Sequence, residues 1–206
     1  MDITALSTLQ LDALREAGNI GAGHAATALS KLLRQRILMA VPKASVMPLT
    51  EVDAMVGGAD TLVWAIYLQI EGQVNGHMLF LLPYEHATLL VDLVMGHPLG
   101  KTPAIDEMGT SILGEVGNVL TASYLVALSG LTKLEMQVSV PHLASDMAGA
   151  VLDAVVAELA VASDRVLALE TEFSAEHGGP LKGYMFMLPT PDSLEALLQG
   201  MGMMGR

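Results

Sequence analysis

Glu16 and Asn19 stand three residues apart, and the same pair returns as Glu115 and Asn118. Neither residue type is a strong nucleophile here, but together they suit a hydrolysis that needs positioning rather than covalent attack. An Asn amide offers a donor and an acceptor without ionising, so it can hold a water in line with a reacting phosphorus. A carboxylate one turn away can pair with a cationic side chain on a docked protein. Cleaving an already activated acyl phosphate asks for little more than that geometry and charge neutralisation. An exposed Glu and Asn on one helix would ordinarily be a solvated face. Their recurrence at a fixed spacing is what sets them apart.

That spacing belongs to a longer repeat. Residues 12–42 and 111–141 align without gaps at a constant offset of 99 (115 minus 16). Identical pairs include Glu16/Glu115, Gly18/Gly117, Asn19/Asn118, Ser30/Ser129, Val41/Val140 and Pro42/Pro141. Matched apolar positions alone could arise between any two helices. A shared Glu, Asn and Pro at one offset indicate duplication.

The elements that must carry these residues follow from pattern. The spacing predicts a helix from about Thr8 to Gln35, opened by a Ser7-x-x-Gln10 capping box. A strand from Ile37 to Val41 should end at Pro42, followed by a short helix near Leu49 to Val56. Strand-like runs at Leu62 to Ile70 and Gly76 to Leu82 flank a turn with Gly72 and Asn75-Gly76. A helix from Glu85 to Met95 stops at Gly96 and Pro98.

The second half repeats the order. It has a helix from Asp106 to Leu128 stopping near Gly130, a strand from Leu134 to Val140, and a helix from Ser145 to Ala160. Strands Arg165 to Phe173 and Lys182 to Leu188 follow, then a helix from Ser193 to Met201. Each half is helix, strand, helix, hairpin, helix. The expected fold is α+β: an internally duplicated unit forming an antiparallel sheet, with the long motif-bearing helices packed together on one side. One domain over residues 1–206 is expected, made of pseudo-symmetric halves at about 7–99 and 104–202.

At about 100° per residue, Asp12, Glu16 and Asn19 fall on one stripe, away from the apolar face of Leu11, Leu14, Ala25 and Leu29. Ser111, Glu115 and Asn118 repeat that layout opposite Leu113, Val116 and Leu120. Glycines 18, 21 and 23 each weaken a helix interior by about 0.8–1 kcal/mol relative to Ala, so each needs a reason. Tight packing on the partner helix is expected for Gly18 and Gly21. Gly23 is expected to face a docked protein.

Composition narrows the classes. The 206 residues are 52% hydrophobic, with 14 Met and no Cys, which removes disulfides and thiolate chemistry. A net charge of −12 disfavours nucleic acid or anionic lipid as the main partner. The charge is uneven. Residues 1–103 hold six Lys/Arg against nine Asp/Glu, and residues 104–206 hold four against thirteen. That bias suits either solubility or a basic partner surface. No dinucleotide fingerprint or Walker A sequence occurs, and the six His show no metal-ligand spacing. The apolar stretches at 62–68 and 78–83 are too short for a bilayer, and no secretory signal opens the chain. A soluble cytoplasmic protein without membrane insertion is expected.

At the motif residues the chain resembles the CheC/CheX/FliY family of chemotaxis phosphatases. The family pattern is Asp or Ser, three residues, Glu, two residues, Asn, then twenty-two residues and Pro. Asp12, Glu16, Asn19 and Pro42 fit it, and Ser111, Glu115, Asn118 and Pro141 fit it again. Two intact motifs are similar to CheC rather than CheX, and a protein without the switch-forming extension of FliY is expected. His24 departs from the pattern, standing where the family commonly has Asn.

The resemblance implies phosphorylated CheY as substrate. Asn19 and Asn118 would orient water, and Glu16 and Glu115 would pair with the regulator's lysine. No cofactor would be bound by this chain, since the Mg²⁺ is expected on CheY. It further implies binding of the receptor deamidase CheD through a surface including the helix after the second motif, with Asp146 at the matching position. The chain is expected to be a monomer. An interaction module that controls CheD, with little or no turnover, is the alternative reading.

Overall fold

The computed structural model describes residues 6–33, 36–158, 165–175 and 181–203. Helix α1 (Thr8–Leu33) begins where the sequence places it. The Ser7 N–H donates to Gln10 Oε1 at 2.8 Å and the Gln10 N–H donates to Ser7 Oγ at 3.3 Å, a reciprocal capping box. Its expected last residues, 34–35, lie outside the described residues. The chain continues through β1 (Ile37–Pro48), a 3₁₀ turn (Leu49–Glu51), α2 (Val52–Val56), β2 (Leu62–Gly72), β3 (Gly76–Pro83) and α3 (Tyr84–Met95). Gly96, at φ 67°, ends α3 in the left-handed conformation. The second half comprises α4 (Glu107–Thr132), β4 (Met136–Val138), β5 (His142–Met147), α5 (Ala148–Glu158), β6 (Arg165–Ala175), β7 (Leu181–Pro189) and α6 (Pro191–Gly200).

Three boundaries differ from expectation, two of them for a shared reason. Pro42 does not end β1, and Pro141 is followed directly by strand β5, whose residues 145–147 fall within the helix expected from Ser145 to Ala160; the last expected residues of that helix, 159–160, lie outside the described residues. A proline cannot donate to a ladder, but an edge strand with a bulge accommodates it. Both Val-Pro pairs sit in such irregularities. Between Ala40↔Glu172 and Lys43↔Glu170, β1 carries Val41 and Pro42 opposite Thr171 alone. Between Val138↔Ile70 and His142↔Tyr67, Ser139, Val140 and Pro141 face only Leu68 and Gln69. The third difference is Gly130, which α4 passes through. That glycine faces open space, and the helix ends instead on Lys133 at φ 63°, whose N–H donates to Ser129 O.

The sheet runs β1-β6-β7-β3-β2, with β4 and β5 both on the outer edge of β2, and every pairing is antiparallel. The two hairpins meet at the centre, β3 against β7. Each outer hairpin strand is then extended by a strand of the opposite half: β1 lies on β6, and β4 and β5 lie on β2.

The central strands are buried on both faces, which explains their continuous apolar runs. Trp64, Ile66, Leu68, Met78, Phe80, Leu167 and Met185 join α1, α3, α4 and α6 in the larger core. Val63, Ala65, Leu79, Leu81, Val166 and Phe186 pack under α2 and α5. The long helices share one side as expected, and the short second helix of each half covers the other. Helix α4 is long and apolar enough to cross a membrane, yet 56% of its most apolar window is buried within the protein, as suits a core helix.

Candidate active site

Helices α1 and α4 pack against each other and turn their polar stripes outward. Glycines set that contact. A Cβ on Gly21 would stand 2.8 Å from Tyr124 Cα, so the two helix backbones meet there. Gly18 serves mainly the sheet, because its Cβ would meet Val41 Cγ2 at 3.3 Å and the Tyr124 ring only at 3.6 Å. Gly117, its repeat partner, lies against the Ile66 side chain. Gly23 has no atom within 4 Å of a would-be Cβ and is exposed, leaving a flat spot on the outer stripe.

The motif residues fall where the helical period puts them. Asp12 and Glu16 are exposed on α1, and Asp12 Oδ1 forms an ion pair with Arg15 Nη2 at 3.2 Å. Glu16 has no hydrogen-bond or ion-pair partner among the described residues. Asn19 is half-buried, and its Oδ1 accepts the Val41 N–H at 2.9 Å. On α4, Ser111, Glu115 and Asn118 are all exposed, and Glu115 and Asn118 are without side-chain partners among the described residues. Past Asn118 the exposed stripe turns apolar through Ala122 and Val126, the latter 60% exposed. His24 is exposed beside Gly23.

Pro42 and Pro141 each stand at the irregularity in the strand that follows the motif helix. The residue that reaches the first site is the valine before Pro42, through its backbone N–H. Its identity in both repeats (Val41 and Val140) was the available signal, but a backbone N–H leaves no trace in side-chain pattern. Asp146 is exposed on edge strand β5, not on a helix, and its Oδ1 accepts the Met147 N–H at 2.8 Å. Among the described residues no group of three or more His, Asp or Glu could hold a metal ion.

The chain is 41% identical over 200 residues to the Bacillus subtilis (strain 168) protein named CheY-P phosphatase CheC, a match covering 94% of each. The CheC-like family profile matches residues 9–46 and 108–144, the two segments that hold the motifs. The chain belongs to the CheC-like family. Within that family's reach, the Flagellar motor switch phosphatase FliY of B. subtilis (strain 168) is 29% identical over 143 residues, spanning 68% of this chain and 37% of that one. The crystal structure of Thermotoga maritima FliY superposes with a TM-score of 0.80 over 96% of this chain and 98% of that one. At 22% identity, that likeness speaks for the CheC-like fold alone.

Proposed function

We propose that this chain hydrolyses the aspartyl phosphate of phosphorylated CheY. Asn19 and Asn118 each hold a water against the phosphorus, and Glu16 and Glu115 each receive the regulator's lysine. The water's oxygen bonds to phosphorus while the bond from phosphorus to the aspartate oxygen breaks, and the water's proton leaves on the inorganic phosphate. Any Mg²⁺ comes with CheY and neutralises the phosphoryl oxygens there.

The observation that carries this reading is the doubled Glu-x-x-Asn pair, exposed at Glu16, Glu115 and Asn118 and half-buried at Asn19. Both glutamates are unengaged among the described residues and are therefore free to meet a partner. The 41% identity to the B. subtilis protein over 94% of each chain supports the same substrate. The test is decay of radiolabelled phosphorylated CheY with wild type, Asn19→Ala, Asn118→Ala and the double variant. Wild type is expected to accelerate decay, and the double variant to return it to the spontaneous rate. A double variant with wild-type turnover rejects the amides as the catalytic groups.

Binding of CheD is proposed alongside, on the exposed carboxylate of Asp146 at the free edge of the sheet. Co-purification with CheD should weaken in Asp146→Lys while turnover of phosphorylated CheY is retained. Size-exclusion chromatography with light scattering reads the proposed monomer.

A further inference from the structure

The two copies of the motif are held differently. Asn19 Oδ1 accepts the Val41 N–H, and since an N–H can meet only the oxygen, this contact decides which end of the amide faces outward. At position 19 the outward group is the NH₂. Val41 is itself fixed, 2% exposed and packed on Gly18, in a strand that continues on both sides of the bulge.

The second copy has the same residues and none of this support. Val140 is 82% exposed, and the strand is broken into β4 and β5 around it. Ser139 satisfies that break instead: its N–H donates to Gln69 O and its Oγ accepts the Gln69 N–H, both at 3.0 Å. Asn118 is exposed, with its amide unpartnered among the described residues.

Resting on the phosphatase reading above, we infer that the Val41-Pro42 bulge is a positioning device that pre-sets Asn19 as a pure donor, so that the two sites turn over unequally. At the first site the amide reaches the docked complex already oriented. It donates to the water oxygen and leaves the other lone pair of that water directed at phosphorus. At the second site the partner must order Asn118 on docking. Ordering one such side chain lowers the rate by roughly two- to tenfold. Because both glutamates are equally free to dock, the difference should lie in kcat rather than KM.

Two kinds of measurement test this. In ¹⁵N relaxation of side-chain amides, assigned by their loss in Asn19→Ala and Asn118→Ala, the Asn19 NH₂ should be rigid and the Asn118 NH₂ mobile on the ps–ns scale. Hydrogen exchange at the Val41 amide should be slow in wild type and in Asn19→Asp, which retains the acceptor, and fast in Asn19→Ala. Equal mobility of the two amides, or a Val41 exchange rate unmoved by Asn19→Ala, overturns the positioning role.

In turnover of phosphorylated CheY, Asn118→Ala should keep a kcat two- to tenfold above that of Asn19→Ala at similar KM. Asn19→Asp, which keeps the acceptor but lacks the NH₂, should lose first-site turnover in the Asn118→Ala background. Equal kcat values, the reverse order, or activity retained by the Asp variant would defeat the inference. A wild type that does not accelerate decay rejects the phosphatase reading and the unequal turnover with it; the relaxation and exchange data then judge the positioning device by themselves.

Discussion

Asp92 is the one fully buried carboxylate among the described residues, and it is satisfied from a single direction. Oδ2 accepts the Lys101 N–H at 2.9 Å, and Oδ1 accepts the Thr102 N–H at 3.0 Å and hydroxyl at 2.6 Å, which ties the loop after α3 back to the helix. Burial pushes its pKa up, but the hydrogen bonds from the Thr102 hydroxyl and from the Lys101, Gly100 and Thr102 backbone outweigh that. Together they hold the carboxyl below its ordinary value of 3.8. A depressed folded pKa means that the stabilisation is complete above the unfolded value and is lost as pH falls through the folded one. Asp92→Asn places an NH₂ against a backbone N–H. It should therefore destabilise the protein at pH 7 by roughly 2 kcal/mol, with the gap to wild type narrowing as pH drops below about 4. Urea unfolding followed by the fluorescence of Trp64, the single Trp and a core residue, reads this. A gap that stays constant down to pH 3 would show that the buried group is not a carboxylate anion.

At the scale of elements, the glycines of α1 divide by neighbour. Gly21→Ala drives a methyl against Tyr124 backbone 2.8 Å away, where no rotamer change can make room, and should destabilise by about 1–3 kcal/mol. Gly23→Ala meets nothing, and helix propensity alone should stabilise by about 0.5–1 kcal/mol. Thermal unfolding of the two variants should shift in opposite directions. No described residue lies close enough to call for a glycine at position 23; if a docked partner approaches there, turnover should fall in Gly23→Ala despite the added stability. Unchanged turnover would leave Gly23 outside the docking surface.

Helix boundaries and the first hairpin were legible because the Ser7/Gln10 capping box, Gly96 and the Asn75-Gly76 turn act locally. The second half of β1 and the whole of β5 were not. Local rules read Pro42 and Pro141 as stops, whereas a bulged edge strand needs no N–H from either.

At the scale of the whole molecule, the halves exchange strands: β1 completes the second hairpin, and β4 and β5 complete the first. A separated half therefore leaves a hairpin edge unpaired and the apolar face of its long helix uncovered. Fragments 1–103 and 104–206 expressed alone should lack dispersed amide resonances, and mixing them should restore the dispersion. A fragment that folds by itself would mean that the halves are independent domains.

The duplication, the antiparallel hairpins and the outward stripe of Glu16, Asn19, Glu115 and Asn118 were determined by the sequence alone, because periodicity reports which face of an element is apolar. The pairing of each half's strands with the other half was decided only by tertiary structure. So was the inequality of the two amides. Val41 and Val140 are the same residue at the same place in the repeat, yet one is 2% and the other 82% exposed. A hydrogen bond from Val41 to Asn19 spans 22 residues, and whether it forms depends on how the strand is packed rather than on the motif that surrounds it.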